Sequence, residues 1–545
     1  MPAEPTPTFA SASPPPRGWM PARPALILTL AAVFAQAAAL AVVHRQRGSV
    51  TAYCFQSPDA GEYVALARGL AWTGRYVQIS SAGQPLSGPD TWRTPGYPLF
   101  LAVVMRIVGD RPAGLLLAQQ LLAVAAVPLL WLILRRVTAP RWAFLAALAF
   151  CFDPFRLYYA LWLMSETLFT AVLILACLLW LRFRRPCAAV PAQDRLGPHE
   201  AEGSKNQDPR FPIAAPFLLG FLSAALVLIR PIALPLPILV VVGMILVSLI
   251  PRRRNQPPGP DPPSAIRRVG PAVACLLGVA VTLWPWLLRN HRLTGHVALS
   301  QQSGASLAYH KVLDVILWSE GRARDRFDPA VAAEVRSRID RRLREAWRRR
   351  VGPLTAEQEA SLDWHALNFG GRLADGLDPF VASRLLWSIG LETLADHPWA
   401  AMKCLTVQGL LMLIFPLGLV LWPPAGAGAA PLSTLLGSGP AAALVAAVVG
   451  AAYTAIVALA VARLTAAVIR RCRPAFALLH PPAALFALWP ALAMFALSLP
   501  FEDPRFRLPL MPLFWLMAVP ALRPRENPAS HPVSRRSTPG SHVQA

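Results

Sequence analysis

The sequence predicts an all-α polytopic membrane protein, on three observations. Of its 545 residues 55% are hydrophobic and only 15% charged, against about 25% charged in an ordinary soluble domain. Mean hydropathy is +0.44, and the apolar residues fall in runs of about 20, the length that crosses a hydrocarbon core as a helix. Arginine clusters recur at alternate run ends, as the positive-inside bias of cytoplasmic loops requires. The net charge of +23 therefore reads as topological and lipid-facing charge. No aromatic-interleaved basic motif occurs, so no nucleic-acid partner is expected. Seven cysteines and ten histidines are dispersed without a C-x-x-C pair or a Cys/His cluster, which suggests neither a disulfide framework nor a zinc site. No metal and no cofactor is expected.

Taken in order, residues 1–23 are rich in Pro, Ala and Ser and read as a disordered cytoplasmic tail, with the first span at 24–43. Residues 44–110 form an outer loop. Within it Asp59 to Leu70 has helical spacing, with Tyr63, Leu66, Ala67 and Leu70 on one side. Tyr97 to Val108 is apolar but too short to span comfortably, and is expected along the surface. Spans follow at about 112–134, 141–157, 161–181, 213–229, 232–250 and 270–288, completing a transmembrane core over 24–288. Arg135, Arg136 and Arg141 mark one inner loop, Arg182, Arg184 and Arg185 the next, and Arg252 to Arg254 with Arg267 and Arg268 a third.

Residues 289–401 read as one long extracytoplasmic segment with amphipathic helices. There Val331, Val335, Ile339, Leu343, Trp347 and Val351 recur every four residues among eleven arginines between Arg322 and Arg350. An amphipathic helix on anionic headgroups and a solvated basic helix of a small outer domain fit that pattern equally. A second helix is expected from about Val381 to Leu394. Residues 402–522 form a C-terminal transmembrane region and 523–545 a cytoplasmic tail. Keeping Arg470, Arg471, Arg473, Arg523 and Arg525 inside requires 402–439 to enter and return, or to lie in the interface, which gives ten full spans and one irregular segment.

The chemistry-bearing residues gather on the outer side of this topology. Asp59 and Glu62 are three apart at a helix start; Arg93 precedes a Pro-Gly-Tyr-Pro turn. A carboxylate can take a proton and a guanidinium can hold a phosphate, so the pair suits chemistry on a lipid phosphate. The competing readings are helix capping for the acids and a headgroup contact for Arg93. Glu166 lies near the outer end of an apolar span, where a carboxylate is costly without a partner or water. An N-terminal capping arrangement with Ser165 is the alternative. Arg230 ends another span and could snorkel or face the same cavity. Glu502, Asp503, Arg505 and Arg507 stand at the outer end of the last span.

The motif series D-x-x-x-Y (Asp59, Tyr63), R-T-P-G-Y-P (Arg93 to Pro98), S-E-T-L-F (Ser165 to Phe169), I-R-P (Ile229 to Pro231), H-P-W-A (His397 to Ala400) and P-R-F-R-L-P-L (Pro504 to Leu510) resembles the GT-C glycosyltransferases. More narrowly it is similar to bacterial relatives of the protein mannosyltransferases and of the lipid A aminoarabinose transferase. The resemblance implies a GT-C fold of about 10–11 transmembrane helices with extracytoplasmic juxtamembrane helices, in a bacterial inner membrane. It also implies transfer of a sugar, with inversion, from a polyprenyl-phosphate donor to a lipid, glycan or protein acceptor on the extracytoplasmic face. Asp59 would be the general base or orient the acceptor, with Glu62 one turn away as the fallback. Arg93 would hold the donor phosphate, where the aminoarabinose transferase has a lysine. Arg505 or Arg507 would stand near that phosphate or the loop helices. Tyr63, Tyr97, Glu166 and Arg230 are further substrate-binding candidates within the same motifs. One departure is that the loop has an isolated aspartate where eukaryotic protein mannosyltransferases have an Asp-Glu pair. Transfer is expected to be metal-independent, and loss of activity with a chelator would count against that. A transporter or flippase of a lipid-linked saccharide is the alternative, but it calls for mid-span charges or broken paired helices. A catalytically inactive scaffold of the same fold is a third reading.

Overall fold

The computed structural model describes residues 22–183, 213–249, 265–368 and 373–413, with two isolated positions beyond. Its architecture is helical. Helix α1 (Ala22–Arg47) is followed by the loop helix α2 (Pro58–Arg68), a two-stranded hairpin of β1 (Val77–Ile79) and β2 (Pro85–Pro89), and α3 (Gly96–Val108). The apolar bundle continues with α4 (Pro112–Val137), α5 (Pro140–Cys151), the short α6 (Pro154–Ala160), α7 (Ser165–Phe183), α8 (Ala214–Ile229), α9 (Pro235–Leu249) and α10 (Ala265–Thr294). A smaller unit follows, built around α11 (Pro329–Arg350) and α12 (Pro379–Asp396), before α13 (Pro398–Leu413). Residues 414–447, 449–450 and 452–545, which hold most of the expected last spans and Arg505 and Arg507, lie outside the described residues.

Among the described residues three helices are long and apolar enough to cross a membrane, over Ala22–Arg47, Pro112–Arg136 and Val269–Thr294, and five shorter apolar helices accompany them. Their outward faces carry large apolar side chains, such as Leu30 at 60% and Phe34 at 68% exposure. A water-soluble protein hides surface of this kind; on a multi-pass membrane protein it meets lipid. The inward faces form one core, with Leu28, Val127, Leu130, Phe169, Leu173 and Leu226 buried.

One expectation needs correction, and one open alternative is decided. The span expected at 141–157 is broken: α5 stops at Cys151 and α6 restarts at Pro154, because Pro154 cannot continue the hydrogen-bond ladder. The apolar stripe of α11 does not lie on headgroups. Val335, Ile339, Leu343 and Trp347 are buried against Tyr309, Leu313, Leu386 and Ile389, while Val351 stays exposed. The helix is therefore the basic wall of a small domain, the second of the two arrangements its pattern allowed. Helix α3 packs one face inward. Tyr97, Leu101, Ala102 and Met105 are buried, whereas Leu99, Val103 and Ile107 are exposed.

Glycines set the close approaches around the outer loop. A Cβ on Gly96 would stand 2.7 Å from the backbone of Leu228 and Ile229, so the start of α3 abuts the end of α8 directly. A Cβ on Gly69 would stand 2.0 Å from the Val77 carbonyl oxygen, so the end of the α2 segment seats against the hairpin. Neither approach leaves room for a side chain. Arg68 Nε donates to Asp110 Oδ2 at 2.7 Å and ties α2 to the turn before α4.

Candidate functional site

Helix α2 starts at Ser57-Pro58, with Pro at its first position and Asp59 in its first turn. Asp59, Glu62 and Tyr63 are spaced three and four apart, which puts them on one face. That face meets the Arg93 loop. Arg93 Nη2 donates to Asp59 Oδ1 at 2.7 Å, and its Nε donates to Glu62 Oε2 at 2.7 Å. The guanidinium carbon lies 5.3 Å from the centre of the Tyr63 ring, a cation–π contact. Both acids thus converge on one arginine, which a first-turn role for Asp59 does not explain.

Burial makes this cluster electrostatically tense. Arg93 is 7% exposed. Burial works against its charge, but Asp59, Tyr63 and Glu62 outweigh that and hold it well above its usual range. At Glu62 the balance goes the other way. Burial pushes the carboxyl above the ordinary glutamate value of 4.5, more than the Arg93 charge and hydrogen bond pull it down, and the nearby charges of Asp59 and Asp90 add to the rise. An ion pair alone would depress an acid, so desolvation is the dominant effect at Glu62.

The second pair joins two helices of the bundle. Glu166, 1% exposed at the start of α7, faces Arg230 at the end of α8, with Arg230 Nη1 2.7 Å from Glu166 Oε1. The capping alternative for Glu166 gives way to this partner. Breaking a buried pair from one side leaves an uncompensated charge, at a cost of about 3–5 kcal/mol. Glu166→Ala is therefore expected to lower the melting temperature of the purified protein clearly, and Glu166→Gln with Arg230→Met together should recover most of the loss. Equal melting of wild type and Glu166→Ala would show that the pair does not brace the bundle.

Tyr97 takes a different place. It is fully buried, stacks edge-on to Tyr63 with ring centres 5.0 Å apart, and donates its hydroxyl to Gln119 Oε1 at 2.6 Å. Gln119 in turn donates to the carbonyls of Ala160 (2.9 Å) and Trp162, and Gln120 donates to Ala160 (2.7 Å). Two glutamines inside an apolar helix thereby anchor the turn that leads to Glu166, satisfying backbone that a bilayer would leave bare.

Sequence reasoning missed Asp90 and Tyr76, and read Arg289 only as outer-side positive charge. Asp90 caps the Arg93 turn. Tyr76 donates its hydroxyl to the carbonyls of Arg93 and Thr94, both at 3.1 Å. Arg289 lies over the rings of Tyr76 and Trp286 at 5.3 and 4.6 Å and donates to Asn290 Oδ1 at 2.8 Å. The small domain reaches the same loop. Trp92 is buried in its core, and Thr91 Oγ1 donates to Gln301 Oε1 at 3.0 Å. Asp90 followed by four residues and a Pro-Gly pair was the one available signal, since aspartate before a turn often bonds the amides that follow. Among the described residues no three His, Cys, Asp or Glu side chains group to hold a metal ion.

These observations define a multi-pass helical membrane protein with three carboxylates (Asp59, Glu62, Glu166), two arginines (Arg93, Arg230) and Tyr63 gathered at one end of its bundle. The family model described as dolichyl-phosphate-mannose-protein mannosyltransferase matches residues 92–186, the segment holding both the Arg93 turn and Glu166. Over that segment the chain is similar to this family model. Among solved structures it is similar to the Archaeoglobus fulgidus oligosaccharyltransferase in the apo form, at 15% identity and a TM-score of 0.44, over 93% of this chain and 50% of that one. It is also similar to ArnT from Cupriavidus metallidurans bound to undecaprenyl phosphate, at 15% identity and a TM-score of 0.35, over 91% and 78% of the two chains. The chain spans about half the length of the oligosaccharyltransferase chain it matches. No curated protein matches the sequence.

Proposed function

We propose that this protein is an inverting glycosyltransferase that takes a sugar from a polyprenyl-phosphate donor and passes it to a lipid, glycan or protein acceptor. The site would work on the extracytoplasmic face of a bacterial inner membrane. The observation that carries the reading is the meeting of Asp59 and Glu62 on Arg93 inside a bundle whose matched segment is of the mannosyltransferase type. In the forward step Asp59 accepts the proton of an acceptor hydroxyl as the oxygen attacks the anomeric carbon. The bond from that carbon to the phosphate oxygen breaks, and its electron pair leaves with the polyprenyl phosphate. Arg93 neutralises the charge that develops there, the kind of stabilisation a preorganised guanidinium gives most strongly in a dry site. Glu62 holds Arg93 and is the fallback base. Glu166 and Arg230 brace the helix ends behind them, and Arg505 and Arg507 remain candidates for the phosphate. The guanidinium can supply the charge that a divalent ion supplies elsewhere, so transfer is expected to continue with EDTA present.

Undecaprenyl phosphate is the natural probe for the phosphate half of this reading. The full-length protein in nanodiscs is expected to bind it, and Arg93→Ala should weaken that binding by about tenfold or more, the loss of a charge-assisted pair of hydrogen bonds. Equal binding by wild type and Arg93→Ala at equal melting temperature would remove Arg93 from the phosphate.

A further inference from the structure

Arg93 is held in two independent ways. Its side chain belongs to α2, through Asp59 and Glu62. Its backbone belongs to the hairpin. Asp90 Oδ1 accepts from the amides of Trp92 at 2.9 Å and of Arg93 itself at 3.0 Å, and Gln78 of β1 donates to Asp90 Oδ2 at 3.1 Å. The Arg93 carbonyl accepts from the Tyr76 hydroxyl, and the Asp90 amide closes the frame by donating to the Tyr76 carbonyl at 3.0 Å. Asp90 is 8% exposed and Tyr76 6%. A solvated turn would not need a buried carboxylate with three donors aimed at it.

We infer that Asp90 is a positioning residue for Arg93, fixing through the 76–90 hairpin frame where the phosphate-holding guanidinium stands. This rests on the proposed role of Arg93. The physical argument is one of placement. Asp90 sits on the backbone of Arg93, so any shift of its carboxylate displaces the arginine Cα relative to α2. A misplacement of about 1 Å at a reacting site can cost about a hundredfold in rate. An aspartate fits where a glutamate does not, because the extra methylene moves the oxygen away from two consecutive amides. Charge is secondary, since an asparagine oxygen can accept the same two bonds.

The test separates shape from charge. Full-length Asp90→Asn and Asp90→Glu are titrated in nanodiscs with undecaprenyl phosphate and, as a phosphate-free control, with undecaprenol. Asp90→Asn is expected to bind undecaprenyl phosphate within about threefold of wild type, and Asp90→Glu about tenfold more weakly, as expected for losing hydrogen bonds to a charged acceptor. Undecaprenol binding and melting temperature should stay unchanged in both, whereas general loosening would move all three readings. Tyr76→Phe, which keeps the ring and removes the donor to the Arg93 carbonyl, should weaken undecaprenyl phosphate binding in the same selective way and serves where Asp90→Glu does not fold. The inference is overturned if Asp90→Glu and Tyr76→Phe bind as tightly as wild type, or if Asp90→Asn is as weak as Asp90→Glu. Arg93→Ala is run alongside. If it binds undecaprenyl phosphate normally, the phosphate role of Arg93 has failed, whatever the Asp90 variants do.

Discussion

Arg93→Ala is expected to reduce sugar transfer by about a thousandfold or more, the scale on which removing a positioned guanidinium or oxyanion donor acts. The loss should fall mainly on the rate of transfer, because the charge Arg93 neutralises grows as the phosphate leaves. Arg93→Lys should fall between wild type and Ala. It keeps a cation but loses the planar fork that now serves two carboxylates at 2.7 Å each. The check is a turnover assay on membranes once the donor sugar is known. An Arg93→Ala enzyme with wild-type turnover would contradict the assignment.

The second large effect belongs to the acids. Asp59→Asn is expected to slow transfer by about a hundred- to ten-thousandfold, the range for losing a general base. Glu62→Gln should cost less, about tenfold, because it loosens Arg93 without removing the base. Its signature lies in pH. Burial raises the Glu62 carboxyl above 4.5, so as pH falls Glu62 takes up its proton at a value higher than an ordinary glutamate and releases Arg93 Nε. Transfer should therefore decline toward acid with a midpoint above 4.5, and Glu62→Gln should lack that limb. The linkage has the matching sign. The folded carboxyl is raised, so the stability it contributes is present at low pH and is lost as pH rises through its folded value. Glu62→Gln should therefore be relatively more stable than wild type at alkaline pH than at acid pH, which thermal melts at several pH values can read.

How much of this was legible in the sequence depended on whether a feature was local. Helix α2 and its Asp59, Glu62, Tyr63 face follow from spacing alone, as does the short surface helix after Arg93. The Arg93 turn was marked by its Pro-Gly-Tyr-Pro motif. The Glu166–Arg230 pair was not legible as a pair, because nothing periodic links two side chains on different helices; only their cost in an apolar span flagged each one. Asp90 was not singled out, because its partners are backbone amides, which every residue has. Gln119 and Gln120 were lost in a run of leucines for the same reason: their partners are carbonyls 40 residues and more away. The α11 stripe was left open between two arrangements. An apolar face among arginines has the same period whether it meets lipid or a protein core, and only the packing of Trp92, Tyr309 and Leu386 against it decides between them.

The central claim, that this protein moves a sugar off a polyprenyl phosphate with Asp59 and Arg93, is tested most directly by glycolipid and glycan profiling. Cells lacking the protein would be complemented with wild type, Asp59→Asn or Arg93→Ala, with membrane levels of each checked. The account predicts a polyprenyl-phosphate-linked sugar that accumulates and a glycan that goes missing, both restored by wild type and by neither variant. Full restoration by both variants, or an unchanged profile in the deletion, would contradict it.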